Sequence, residues 1–484
     1  MRVNRYRAPE FPDHLEWLNV DRPVSLKKQG GSVVLLAFGT WSSVPCQHML
    51  ADLDYLENRY RNKLAIIGIH AARFPHEKSR EHLQKSICRN HIHHPVINDS
   101  ALQLSNNYGI RKWPSVVVID TGGLIVGALT GEGKRARLDR IIQTLLENGR
   151  QHLAIVRDRP DDRKCDNDST GPLSLPGKVL VSGSRIYIAD SGHNRILETT
   201  EHGHIVRQFG SDNCGFNDGS CMGAAFNNPQ GMVLADEFLY VADTGNHAIR
   251  RIRRHGGEVE TIAGTGSVAL SPQGDYFTNP ADTDLNSPTG LAISRNVMYT
   301  AMTGLHQIWA HSLITNTLEI FAGSGREGIV DGISRNACFA QPSALALMDD
   351  TLFVADAKSS AIRAVDLGTR QVSTLVGRSL CDCGDNDGHA AVARMQFPLD
   401  IHADPNHKLL WVADTYNNKI KRIETRNKLV SSIPVNHRLD EPGGLAFNGD
   451  SLYIANTNFH EIVRLNLRNG KTQALNVNND SISI

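Results

Sequence analysis

One sulfur, Cys46, stands in the segment Trp41-Ser-Ser43-Val-Pro45-Cys46, between a run that reads as a buried strand and a run that reads as a helix. A thiol at such a junction can act as a nucleophile, because the positive end of a helix dipole favours its thiolate. Ser43, three residues earlier, offers a hydroxyl where a second thiol would be needed to close an intramolecular disulfide within the motif. Three chemistries stay open for Cys46. It can be a buried structural thiol, a peroxide-reactive or sensor thiol with Ser43 as hydroxyl donor, or a monothiol that exchanges disulfides with glutathione or a protein partner.

The elements that must position this segment lie on either side of it. Ser32-Val-Val-Leu-Leu-Ala-Phe38 is continuously apolar and partly β-branched, the pattern of a strand buried on both faces, and Leu64-Ala-Ile-Ile-Gly-Ile-His70 repeats it. Between them Met49, Leu50, Leu53, Leu56 and Tyr60 recur at helical spacing, with Pro45 in the first turn. Together they form a βαβ unit, whose strands are expected to be parallel with a right-handed crossover. A second helix is expected over 77–90. A hairpin should run from Val116–Asp120 through Thr121-Gly-Gly123 to Leu124–Thr130, and a last helix over 138–147. The result is an α/β domain over residues 1–150. Its His70, His91, His93 and His94 match no standard metal spacing and read as polar loop residues, and Cys88 reads as a small apolar filler.

Residues 151–172 are charged and turn-rich and read as a linker that exposes Cys165. From 173 to 484 one stretch recurs. Its clearest copy is Leu239-Tyr-Val-Ala-Asp243-Thr-Gly-Asn-His-Ala-Ile-Arg250, and others begin at Ile186, Met298, Leu352, Leu410 and Leu452. The Asp position falls at Asp190, Asp243, Met302, Asp356, Asp414 and Asn456. Repeats of roughly 40 to 50 residues built from strands and turns indicate a β-propeller. Six four-stranded blades are therefore expected, with proline at 176, 229, 288, 342, 398 and 442 just ahead of each first strand. The hairpin aspartates read as structural caps of turn amides. Residues 472–477 supply blade six with its own outer strand, so little strand exchange is expected at ring closure.

The Trp41-to-Cys46 segment resembles the thioredoxin active-site turn. That resemblance implies that Pro114, in Trp113-Pro114-Ser115, is a cis proline facing the turn and guiding a partner's backbone, with Trp41 shaping the rim. Thr40-x-x-Ser43-x-x-Cys46 also resembles the Ser/Thr-x-x-Cys of peroxiredoxins. With Gly68-Ile-His70-Ala-Ala-Arg-Phe74-Pro-His-Glu77-Lys78, Tyr108-Gly-Ile-Arg-Lys-Trp113-Pro114 and the blades, nearly the whole chain is similar to the NHL-repeat-containing protein 2 family. The family couples a thioredoxin-like domain to an NHL propeller. Its members typically carry cysteines at the positions of Ser42, Ser43 and Cys46, so the resemblance implies a redox site reduced here to one thiol. The site residues it implies are Cys46, Ser43, Trp41 and Pro114, with no cofactor and no metal.

Long loops follow blades one to four, over 210–228, 264–287, 323–341 and 377–397, and Asp218, Asp331 and Asp387 in them read as turn residues. The stretch Cys381-Asp-Cys383-Gly-Asp-Asn-Asp387-Gly388 fails a calcium pattern at its first ligand and at Arg394, where Glu is required. Cys214 and Cys221 belong to a loop across the ring from it, so no shared metal is expected. The basic runs Arg250–Arg254 and Lys419–Arg422 read as alternation along strands and lack interleaved aromatics, which argues against nucleic acid. Lys plus Arg total 51, as do Asp plus Glu, so no net field recruits an anionic partner. The first residues lack a secretory apolar run, no stretch is apolar enough to span a bilayer, and eight cysteines in this length suit a reducing compartment. A cytoplasmic protein-interaction platform is the first functional expectation, with a protein partner on a propeller face. A thiol-dependent oxidoreductase or peroxide-reactive protein using Cys46 is the alternative.

Overall fold

A computed structural model describes residues 6–148, 171–272 and 274–478. The linker expected over 151–172, with Cys165, falls almost wholly outside them. Contacts divide the chain into two units, Met1–Asp168 and Ser169–Ile484.

The first unit is a six-stranded mixed sheet flanked by helices. In chain order it contains β1 (Glu16–Leu18), β2 (Val33–Gly39), α1 (Val44–Tyr60), β3 (Leu64–His70), α2 (Arg80–Arg89) and β4 (Val96–Asn98). It continues with α3 (Gln103–Asn107), β5 (Ser115–Ile119), β6 (Ile125–Thr130) and α4 (Arg135–Asn148). The sheet order is β1-β4-β3-β2-β5-β6. β2 and β3 pair in parallel from Val33↔Leu64 to Gly39↔His70, and β5 lies antiparallel on the other side of β2. Alternation divides each strand between two apolar layers. Val33, Leu35 and Ile66 face Met49, Leu53 and Leu56 of α1, whereas Val34, Leu36, Phe38 and Ile67 face Leu104 and Ile110. Burying each such side chain contributes about 2 kcal/mol, so the sheet fixes α1, and with it Cys46, rigidly. The short strands β1 and β4 and helix α3 were not legible in the sequence, because three or five residues carry no measurable periodicity.

The second unit is a six-bladed β-propeller. Each blade is one antiparallel sheet, and each blade's first strand neighbours the next around a closed ring, with Pro442–Asn448 beside Lys178–Ser182. Blade six is built from its own strands, as its sequence suggests, but its outer strand ends at Ala474 rather than at Val477, because the chain then turns toward blade one. At closure Asn478 also bridges His204 at the outer edge of blade one. The hairpins do more than turn the chain. Their Ser or Thr hydroxyl donates to the proline carbonyl of the next blade: Ser191 to Pro229 and Thr244 to Pro288, each at 2.6 Å, Thr303 to Pro342 at 2.6 Å and Thr415 to Pro442 at 2.8 Å. Blade four has Ala357 instead, and Ser343 donates to Pro398 at 3.1 Å. The hairpin Asp accepts from the main chain just before that blade's own first strand, as Asp243 does from Asn227 N–H at 2.8 Å. These aspartates therefore hold structure, as expected, but not by capping the amides of their own turns. The carboxylates of Asp190, Asp243, Asp356 and Asp414 make no such bond and tie down the segment ahead of the first strand instead.

Two expectations need correction. The basic runs are not simply surface alternation: the side chains of Arg250 and Lys421, like that of Arg363 in blade four, are 0% exposed. Nor are Asp218, Asp331 and Asp387 ordinary turn residues. Arg250 reaches Asp243 at 2.8 Å and Asp218 at 2.7 Å, while Thr261 donates to Asp218 from both its N–H and its hydroxyl. Arg363 sits likewise between Asp356 and Asp331, and Lys421 between Asp414 and Asp387. A buried cation is tolerated only when paired and hydrogen-bonded, and here each one pins a long loop to the outer strand of the following blade. Short strands at Tyr276–Phe277, Gly332–Ile333 and Gly388–His389 pair with the outer strands of blades three, four and five. The loops run outward along the rim.

Candidate functional site at the head of the first helix

Trp41, Ser43 and Cys46 lie in the β2-to-α1 connection and the first turn of α1. Ser43 is the N-cap residue, and its side chain makes no capping hydrogen bond. Its carbonyl instead accepts from Cys46 N–H at 2.9 Å and Gln47 N–H at 3.0 Å. Cys46 is a thiol, 1% exposed. Its Sγ points at the end of β2: a Cβ added to Gly39 would lie 3.1 Å from it. The absence of a side chain at Gly39 is what lets the sulfur turn inward, beside Met49.

The Trp113-Pro114 bond is cis. Pro114 is buried, its carbonyl accepting from Gly131 N–H at 2.8 Å. Trp41 lies against the His70 ring, with centroids 4.5 Å apart and planes at 43°, and packs on the layer formed by Leu18, Leu83 and Ile87.

Beneath Cys46 lies a cavity of about 20 Å³, lined among others by Gly39, Trp41, Cys46, Met49, His70 and His94. It has room for one water-sized molecule. His70 and His94 belong to it, which corrects their reading as polar loop residues. His70 ends β3 and is 1% exposed, and His94 is 5% exposed, its ring resting where Gly68 has no side chain. Neither His70 nitrogen makes a well-aligned hydrogen bond. Burial pushes its pKa down to about 4, against the pull of the neighbouring Glu77 carboxylate.

Glu77 is the residue that sequence reasoning missed. It is fully buried, and its carboxylate accepts from the Thr40 hydroxyl at 2.8 Å, Ser42 N–H at 3.2 Å, Arg73 N–H at 2.8 Å and Phe74 N–H at 3.0 Å. Burial alone would raise its pKa. His70 and those donors outweigh burial and hold it below the usual carboxylate range. Glu77 thus clamps the turn before α1 to the segment after β3. An imidazole that resists protonation, such as His70, is a poor base for a thiol, and a sulfur turned inward is poorly placed for attack on a large substrate.

A family model described as thioredoxin-like matches residues 30–125, and the NHL repeat model matches residues 226–252. NHL repeat-containing protein 2 of Gallus gallus is 36% identical, the match covering 95% of this chain and 70% of that protein. The chain belongs to the NHL repeat-containing protein 2 family. Homo sapiens NHL repeat-containing protein 2 is also 36% identical, with the same coverage. Protein suppressor of quenching 1, chloroplastic, of Arabidopsis thaliana is 34% identical over 96% of this chain, which spans 47% of that longer protein. The order of a thioredoxin-like domain followed by an NHL propeller is thus the order of this family. No helix among the described residues is long and apolar enough to cross a membrane.

Proposed function

We propose that this chain works as a protein-interaction platform, in which a thioredoxin-like domain without redox turnover accompanies a six-bladed propeller whose loop face receives a protein partner. The observation that carries the reading is the sulfur of Cys46, 1% exposed and turned toward Gly39, with Ser43 where a thiol pair would need its second member. Rigid loops support the binding half: the Asp218, Asp331 and Asp387 anchors present them without the ordering entropy a floppy surface would lose. A cytoplasmic setting suits thiols that stay reduced.

The alternative is one-thiol chemistry at Cys46 with glutathione, a partner thiol or peroxide. One observation favours it, the cavity that Cys46 shares with His70. Graded peroxide and oxidised glutathione, followed by site-resolved mass spectrometry of the native protein, separate the two. The platform reading expects exposed Cys214 and Cys381 to be modified while Cys46 stays unmodified until the fold opens. Selective modification of Cys46 in the native protein, with turnover lost in Cys46→Ala, would establish the alternative.

A further inference from the structure

The second residue after each blade's proline sits in the first strand, where neighbouring blades approach one another around the ring, and in four blades it is small: Gly231, Gly290, Ala344 and Gly444. The spacing there demands it. A Cβ on Gly231 would lie 1.9 Å from the Thr289 carbonyl oxygen, and one on Gly290 would lie 2.6 Å from Cα of Ala344. Blades one and five break the rule together, with Lys178 and Asp400. Their registers match the rest, since Lys178, Ala344, Asp400 and Gly444 each pair with an Ala of the second strand: Ala189, Ala355, Ala413 and Ala455.

The two exceptions meet. Lys178 Nζ lies 2.9 Å from Asp400 Oδ1 and donates to the Leu399 carbonyl at 2.6 Å. The other carboxylate oxygen, Oδ2, accepts from Leu445 N–H of blade six at 2.6 Å. Blade six, which stands between them, contributes Gly444, where a Cβ would lie 2.7 Å from Cα of Lys178. Lys178 is 7% exposed and Asp400 8%. Burial pulls the Lys178 ammonium below its usual range, and Asp400 opposes that pull.

We infer that Lys178 and Asp400 form an axial clasp that stitches blades five, six and one together at the seam where the ring closes. Among the described residues blade six completes its own sheet, with no strand shared across the closure. The seam therefore depends on contacts, and the clasp crosses from blade one to blade five past an intervening blade.

The test uses the full chain. Lys178→Met and Asp400→Asn each leave a buried charge or acceptor without its partner. The double variant Lys178→Met with Asp400→Asn removes both partners together and closes the cycle. Amide exchange of Lys178–Ser182 and Pro442–Asn448 should quicken at least tenfold in each single variant, with Pro288–Ser294 of blade three unchanged. The double variant should lose less protection than the two single losses combined. Equal quickening at the seam and in blade three, or losses that simply add, overturns the clasp. Should the single variants fail to fold, the charge swap Lys178→Asp with Asp400→Lys decides: recovery of seam protection supports the pairing, and no recovery refutes it.

Discussion

The Thr457 hydroxyl of blade six donates to the Pro176 carbonyl of blade one at 2.9 Å, so the last hairpin grips the first blade as each earlier hydroxyl-bearing hairpin grips its successor. Thr457→Val keeps the shape and removes the donor. A buried carbonyl left unsatisfied costs about 1–3 kcal/mol, and the loss should appear as a lower denaturation midpoint of the propeller with an unchanged slope. Thr303→Val should cost about the same, and a null effect in both would mean that water replaces the hydroxyl.

A second latch accompanies the first. The residue ending each hairpin has φ between +50° and +57°, and its side chain accepts an N–H from just before the next blade's proline. Asn194 does so for Asn228 at 2.9 Å and His306, through Nδ1, for Gln341 at 3.0 Å. His306→Asn should keep both the acceptor and the tolerated backbone, and change stability by about 0.5 kcal/mol or less. His306→Leu loses both and should cost about 2 kcal/mol or more, as read by thermal melting of the two variants side by side.

Acid should loosen the thioredoxin-like domain through His70. Its folded pKa, about 4, lies below the ordinary imidazole value of 6.5. Between those values the unfolded chain binds a proton and the folded one does not, so stability falls as pH falls through that window, by about 3 kcal/mol in all. Glu77, held below its usual range, adds a loss of the same sign at lower pH still. His70→Phe should abolish the part between pH 6.5 and 4, measured as exchange of β2 and β3 amides in the full chain after correction for intrinsic rates.

Glu77→Gln tests the clamp at neutral pH. An amide oxygen accepts, but the amide nitrogen would confront N–H donors now bonded to the carboxylate. We expect a loss of about 3 kcal/mol and faster exchange over Thr40–Ser43, with the propeller melting as before.

Blade three replaces the buried ion pairs by an apolar set: Met302, Trp309 and Phe277, with the last two rings stacked at 5.2 Å and 9°. Met302→Asp alone would bury a carboxylate with no cation at position 309. A loss of about 3–5 kcal/mol is expected in denaturant titration, larger than the same change would cost on the rim.

These sites also mark what the sequence could and could not tell. β2 and β3 were legible because a strand buried on both faces has to be apolar throughout, and the blades because Asp-Thr-Gly-Asn hairpins recur. Glu77 was not, since its partners Thr40 and Ser42 are far away in sequence and a lone Glu ahead of a helix looks like an ordinary first-turn acid. Arg250 and Lys421 were mistaken for surface charges because alternation says which residues share a side of a strand, not which side meets the next blade. Met302 looked like a lost Asp. Only Trp309, seven residues on where Arg250 and Arg363 stand in their blades, signals that the whole ion pair was exchanged. His70 and Gly39 were hidden by pairing register, which brings them together across two strands.

The outward run of the long loops has one more effect. Strands Tyr276–Phe277, Gly332–Ile333 and Gly388–His389 occupy the rim-side hydrogen-bonding groups of blades three to five, Gly219 bridges Val259 on blade two, and Asn478 does the same for blade one. Among the described residues, Thr472–Ala474 of blade six is the outer strand left without such a cover. An open strand edge is a template for pairing with another chain, and these covers withhold that template on blades one to five.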